Sequence, residues 1–364
     1  MTTKFLEPGG DADFGILLWD TTSATTVVSD FVHGNHLRSL KIPPGSSVSA
    51  ATKPGVVGDT GTRISFYLYV NALPSALGTF AQILTSGVVT CINFRMTTAG
   101  VLQLWNTVTA QIGADGPALA TGRWYRISLA YTITSGSVNR LELSVDGNSA
   151  ISITNATITN TSTSIFRFSN AGSNGTQDMR VSDVYIDDSS SLTDPGDIWV
   201  TAKRPNANGT TNGFTTQIGA GGSGYGTGHS PQVNERALST TNGWSMIGAG
   251  SAITEEYSIE DLSTGDINLI GADIVDYGGW LYQGSLVSET AKMITGGTSS
   301  TYATGTSANM ITSFKGSTAY PAGGTVIGMT TATDLTTVSL YECGILVAYI
   351  PHSGASPSSY LFGR

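Results

Sequence analysis

Residues 124–133, WYRISLAYTI, alternate without a break: Tyr125, Ile127, Leu129, Tyr131 and Ile133 fall on one side, and Trp124, Arg126, Ser128, Ala130 and Thr132 on the other. A period of two fits extended chain with one dry face. The pattern recurs in RISFYLYV at 63–70, where Ile64, Phe66, Leu68 and Val70 share a side, and in 88–96, where Val88, Ile92, Phe94 and Met96 do. VLQLW at 101–105 resumes it after TTAG, which predicts a hairpin through Thr97–Gly100. LELSV at 141–145 is followed by Asp146-Gly147, a pair that tolerates the positive φ angles of a tight hairpin turn. No stretch of the first 200 residues carries a capped apolar stripe of helical period. Many strands separated by turn signals therefore predict an antiparallel β-sandwich.

From about residue 189 to 232 the chain becomes rich in Gly, Asn, Ser and Thr and poor in large aliphatic residues. That shift predicts a connector at 201–232 between a first domain at 1–200 and a second, smaller β-rich domain at 233–364. In the second domain INLIGADIV at 267–275, WLYQGSLV at 280–287 and VSLYECGILVAYI at 338–350 read as strands. The last is apolar on both faces, which fits either a central strand or an interface strand. It and the connector are the expected subunit contacts. ITEEYSIEDLST at 253–264 fits a short helix or an exposed strand, and the alternation of Tyr257 and Ile259 favours the strand. No fixed-period repeat is present.

Charged residues make up only 12% of the chain, which has 45 glycines and a formal net charge of −9. The longest basic run is Lys203-Arg204, so a phosphate-tracking surface and a nucleic-acid partner are not expected. A surface of Ser, Thr and Asn loses little side-chain entropy when it packs against another protein. The first twenty residues contain no apolar run long enough for a signal core or a membrane span, so neither export by a cleaved signal nor membrane insertion is expected. Cys91 and Cys343 each sit in a strand-like run and read as buried thiols rather than a disulfide. The Asn-X-Ser/Thr triplets at Asn155, Asn160, Asn174 and Asn208 follow from composition and are not read as glycan sites.

Three groups of residues invite a chemical reading. Asp183, Asp187 and Asp188 surround a Val-Tyr-Ile core in VSDVYIDDSS. Asp183 and Asp187 are four residues apart, about 13 Å along a regular strand. Glycosidase carboxyls stand about 5–5.5 Å or about 6.5–9.5 Å apart, so the spacing is wrong unless the strand bulges. As calcium ligands they lack the spaced ladder of a calcium loop. The expected arrangement is Val184 and Ile186 in the core, Asp183 and Tyr185 on the opposite face, and Asp187-Asp188 at the polar exit of the strand. Asp30, His33 and His36 in SDFVHGNH have the residue types of a metal cluster, but Gly34-Asn35 makes a turn, which predicts a surface loop. GAGGSG at 219–224 matches a dinucleotide pattern without a helix to receive a pyrophosphate. No nucleophile elbow, phosphate loop, CxxC or HExxH occurs, and the chain has four histidines. Trp105, Trp124, Trp199, Trp244 and Trp280 read as core or interface residues, with sugar stacking as the alternative. No catalytic residue, metal site or cofactor is expected.

The order GRWYRISLAYTI, RLELSVDGN, VSDVYIDDSS, then GDIWV at 196–200 and KRPNANGTT at 203–211 resembles the concanavalin/laminin-G-like jelly rolls of tailed-bacteriophage virion proteins. The similarity spans about residues 37–215 and continues weakly beyond. The resemblance implies an all-β, antiparallel jelly-roll sandwich followed by a second β-sandwich-like domain. It also implies a non-enzymatic virion surface protein, a capsid decoration, cement or minor capsid component that assembles in the host cytoplasm. Its partners would be major capsid or tail proteins and further copies of itself. The alternative is a head or tail adhesin that recognises host glycans.

Overall fold

In the computed structural model of the chain, the alternation at 124–133 becomes the strand Trp124–Thr134, and RISFYLYV becomes Thr62–Ala72 beside it. The structure describes residues 3–351 except 9–18, 20, 24, 35, 37, 45–49, 107–109, 135–136, 157, 159, 161, 171–174, 214–215, 219–242, 248–253, 265–267, 286–289, 296–297, 304–308, 315–319, 322 and 331–336. The described residues form strands and turns, with no helix among them. The fold is all-β and antiparallel, in two compact units that meet in sequence at Val200-Thr201.

The first unit holds two sheets. One runs Asn148–Ala156, Ser137–Val145, Trp124–Thr134, Thr62–Ala72, Asp178–Asp187, Ser39–Ile42, Thr26–Val28, and Thr3–Glu7 also pairs with Asp178–Asp187. The other runs Ala110–Ile112, Leu102–Asn106, Thr90–Met96, Gly78–Thr85, Thr163–Ser169, Ala50–Pro54, Thr21–Ser23. Strands far apart in sequence lie side by side in both, as crossing jelly-roll connections require. Register explains the core: Ile127 lies opposite both Phe66 and Val145, and Leu129 opposite both Ile64 and Leu143, so one dry row crosses three strands. Phe66 of the first sheet meets Phe168 of the second edge-on, with centroids 4.9 Å apart, and Trp19 packs on Phe5 and Phe168. Burying such a side chain stabilises by about 1.5–3 kcal/mol.

Both hairpins form where the sequence places them. Gly100 donates to Thr97 O, and Asp146 and Gly147 adopt φ angles of 51° and 82°. Cys91 and Cys343 are free and buried, and burial followed by the Asp59 charge pushes the Cys91 thiol up to about 12.

The second unit has one sheet with the path Thr216–Ile218, Gly243–Ile247, Thr337–Ile350, Asp273–Ser285, Asn309–Phe314, and a second ordered Pro205–Asn212, Thr254–Ile259, Val326–Thr330, Thr290–Thr295, Thr298–Ala303. TEEYSI is the predicted strand. Two expectations need correction. The start of the 201–232 stretch is paired strand, because Pro205, Ala207, Asn208 and Asn212 of PNANGTTN find ladder partners in Thr254–Ile259; residues 219–232 lie outside the described residues. Thr337–Ile350 is a central strand, paired on both sides, with Cys343–Ala348 buried, as one of the two sequence readings has it. Residues 268–272 form a turn, closed by Ala272 N–H to Leu269 O, and the strand begins at Asp273.

Val88, read from the sequence as a core residue, instead sits at the tip of the hairpin between Gly78–Thr85 and Thr90–Met96. It has a φ of 64° and is 52% exposed. A β-branched residue in the left-handed region is strained by roughly 1–2 kcal/mol. Replacing Val88 with Asn, which tolerates that conformation, is expected to raise unfolding stability by about 1 kcal/mol in urea titrations. Phe66→Ala is expected to lower it by about 3–5 kcal/mol.

Candidate functional site

The strand Asp178–Asp187 does not keep its period. Its apolar positions are Met179, Val181, Val184 and Ile186, so the spacing steps from two to three and back to two. The pairing shows the cause: Ser182 lies opposite Tyr67 and Tyr185 opposite Ser65, which places three steps of this strand against two of its neighbour. The extra residue is a β-bulge, and Asp183 within it takes a φ of 54°. Val184 and Ile186 remain in the core as predicted, while Asp183 is turned out of the ordinary alternation and is fully buried.

Four donors converge on that carboxylate. His33 Nδ1 and Ser182 Oγ lie 2.7 and 2.8 Å from Oδ2, and His36 Nε2 and the Val200 amide each lie 2.7 Å from Oδ1. A carboxylate offers about four lone-pair sites, so these partners saturate it. Burial alone would raise its pKa. The charge of His36 and the hydrogen bonds from His33 and His36 outweigh burial and hold Asp183 well below the usual carboxylate range.

The histidines come from the turn after Thr26–Val28, where the His36 amide donates to His33 O. Both are about 3% exposed, which corrects the predicted surface loop: the turn folds over the outer face of the sheet. His33 stacks on Tyr67 at 3.6 Å and is flanked by Trp124 and Trp199. Gly34 has a φ of 55°, and a Cβ there would stand 2.2 Å from the Trp199 ring, so the turn needs glycine. Asp197 of GDIWV accepts hydrogen bonds from Tyr67 Oη and Trp199 Nε1. Burial, then the Asp197 charge, drives the Tyr67 hydroxyl far above the usual tyrosine range, so it stays protonated.

The other candidates are placed as follows. Asp187 is buried rather than at a polar exit, and accepts from Arg63 Nε and Nη2 and from the Ser189 amide. Asp188 pairs with Lys4 at 3.1 Å on the surface. Asp30 does not join the histidines; it meets Arg180, which is 1% exposed and also binds Asp178 at 2.7 Å. Trp199 and Trp280 are buried, Trp124 donates to Val32 O, and Arg95 lies over the Trp105 ring. Trp244 lies on the strand Gly243–Ile247, and its side chain is outside the described residues, as is the 219–224 run.

His33, His36 and Asp183 are suitable ligand types for a transition metal, with donor atoms within 4.8 Å of one another. The two His–Asp separations of 2.7 Å are charge-assisted hydrogen-bond lengths. Neighbouring ligands around a tetrahedral zinc stand about 3.3 Å apart, given bonds of about 2.0 Å. As placed, the cluster is a buried hydrogen-bonded pin. Sequence reading names all three residues but cannot join them, because 147 to 150 positions separate the histidines from Asp183. The two-three-two apolar step is the signal that would have shown the bulge.

No family model and no curated protein matches the chain. Among solved structures it is similar to an endo-β-1,4-glucuronan lyase from the fungus Trichoderma reesei, with 16% identity and a TM-score of 0.39, over 54% of this chain and 99% of that one. It is also similar to a carbohydrate esterase of the Shiga toxin-encoding bacteriophage phi24B, with 13% identity and a TM-score of 0.39, over 51% of this chain and 98% of that one. A third is the Trypanosoma rangeli sialidase, with 12% identity and a TM-score of 0.33, over 44% of this chain but only 26% of that one. These three are enzymes, which corrects the expectation of a non-enzymatic chain. At such identities and scores no substrate or residue role passes from them to this chain.

Asp183→Asn keeps the shape and tolerates the positive φ, but sets an amide against four donors. It is expected to cost about 3–5 kcal/mol at pH 7, the effect of breaking a buried charge pair. Because the folded pKa of Asp183 is depressed, its contribution is complete above the ordinary value of about 3.9 and fades as pH falls below it. Urea titrations at pH 7 and pH 3 are expected to show the gap between wild type and variant narrowing in acid.

Proposed function

We propose that the chain is a surface protein of a tailed-phage virion, a capsid decoration or cement component that works by packing against other virion proteins. What supports the reading is the role of the residues that carry the resemblance. Asp183 of DVYIDD accepts the Val200 amide of GDIWV, and Asp197 of GDIWV accepts Tyr67 and Trp199, so the two motifs are halves of one buried tie. A motif pair with this architectural role supports a shared fold, and the proposed use follows from the resemblance.

The surface chemistry agrees. Several charged groups are spent internally, in the pairs Arg63–Asp187, Arg180–Asp178 and Arg126–Asp194, while Ser, Thr, Asn and Gly dominate the composition. Short hydroxyl and amide side chains lose little entropy on packing, which suits a protein that covers a particle by repetition. The proposed partners are major capsid or tail proteins and further copies of the chain.

Imaging of particles with and without this protein tests the proposal. Particles that carry it are expected to show sandwich-sized density on the outer surface, and purified protein is expected to rebind stripped particles to saturation. A purified chain that stays monomeric and leaves stripped particles bare would refute the assignment.

A further inference from the structure

The histidine turn covers the outer face of one sheet of the first unit, and the outer face of the other sheet is built differently. Phe166 and Phe168 reach inward to Phe66 of the opposite sheet, so Arg167 between them points out, together with its cross-strand partner Gln82. Asn93 lies opposite Gln82 and Trp105 opposite Asn93, which carries one outward row across the strands Thr163–Ser169, Gly78–Thr85, Thr90–Met96 and Leu102–Asn106. Arg95 follows Asn93 by two residues and shares that face.

The strands of this seven-stranded sheet contain Lys53, Arg95 and Arg167 and no Asp or Glu, in a chain with 26 acidic residues and 17 basic ones. Lys53 reaches the Phe5 ring, which leaves the two arginines on the outward face. Both are half-buried. Arg95 lies over the Trp105 ring at 4.6 Å, and its Nε is buried without a hydrogen-bond partner, while Arg167 Nε donates to Thr52 Oγ1 at 3.0 Å. Among the described residues no carboxylate pairs with either guanidinium, and burial pushes both below the usual arginine range. The arginines of the other sheet are matched, Arg180 by Asp30 and Asp178, Arg63 by Asp187 and Arg126 by Asp194. A half-buried cation without a counter-charge costs free energy, so this pair points to an anion supplied from outside.

Spacing decides which anion. Arg95 and Arg167 stand two strands and one pleat repeat apart, about 12 Å between Cα atoms. Their side chains diverge further, one toward Trp105 and the other toward Thr52, so a single small anion cannot meet both. Two cations are too few to track a phosphate backbone. Carboxylates four to six residues apart on an extended polypeptide span about 13–20 Å, which fits. Between the arginines Gln82 and Asn93 bond to each other at 2.8 Å and form an uncharged floor. We infer that this face docks an extended acidic segment of a neighbouring capsid or tail protein, whose Asp or Glu side chains take forked hydrogen bonds from Arg95 and Arg167. The identity of the neighbour rests on the particle assignment, and the chemistry rests on the sheet alone.

Two measurements keep these apart. In the first, purified chain labelled at arginine Nε is titrated with a Ser/Gly peptide that carries Glu at every fourth position, with its Gln counterpart, and with an oligogalacturonate. The Arg95 and Arg167 signals are expected to shift with the Glu peptide, less so at high salt, and not with the Gln peptide. Arg95→Gln and Arg167→Gln are each expected to weaken binding about tenfold, the effect of losing hydrogen bonds to a charged group, and to melt no lower than wild type because neither breaks an ion pair. In the second, the double variant is expected to rebind stripped particles about a hundredfold more weakly than wild type, since the two sites are far enough apart to add. No response to the Glu peptide, an equal response to the Gln peptide, or preference for the oligogalacturonate would overturn the inference. A double variant that rebinds as wild type does would also overturn it and leave the particle assignment standing. A wild-type chain that binds the Glu peptide but leaves stripped particles bare would refute the assignment and, with it, this neighbour. Self-association of the purified chain that the double variant abolishes would put a second copy on the face and overturn the choice of partner.

Discussion

The first sandwich depends on a charge that cannot be left alone. A carboxylate with no accessible surface is tolerated only when its lone pairs are filled and its charge is met. Asp183 meets both conditions by drawing in a loop from 150 residues earlier and an amide from 17 residues later. The bulge, the glycine of the HGNH turn and the aromatic packing around His33 all follow from that requirement. Remove the extra residue from the strand and Asp183 returns to ordinary alternation, where it would face the apolar core or lose its reach to the turn.

The strands of the first unit were legible because their dry faces are regular. Ile64, Phe66, Ile127 and Leu129 repeat every second residue, and the structure sets them opposite one another in that phase. The turns were legible for an equally local reason, the positive φ angles that Asp146-Gly147 and Gly100 accept. The second unit was read less well. Pro205, Ala207, Asn208 and Asn212 of PNANGTTN form a strand through partners in Thr254–Ile259, and local composition carries no trace of that partner.

The sites were least legible, since each is an agreement between distant segments. A surface loop was a fair reading of His33-Gly34-Asn35-His36 taken by itself, because a turn places two histidines where water can reach them. Only the sheet beneath it, with Tyr67 as a stacking face and Asp183 as an acceptor, makes the turn an interior element. The outward row of the second sheet is similar: Trp105, Asn93, Gln82 and Arg167 carry no motif, and it is strand pairing that makes them neighbours. Arg180 shows the converse, since burial between Asp30 and Asp178 converts a cation that looks solvent-facing on paper into a structural tie.

Val200 is the last residue of the first unit before the chain passes to the second, and its amide ends on Asp183. Any pull along the chain from that side therefore meets a charge-assisted hydrogen bond anchored on an interior strand, the fifth of a seven-membered strand path, not a fraying edge. The tie shares its acceptor atom with His36, so slack at Val200 and slack in the histidine turn are the same event. In mechanical terms the bulge is a cleat: the load that reaches it at Val200 is spread at once into two loops and a sheet.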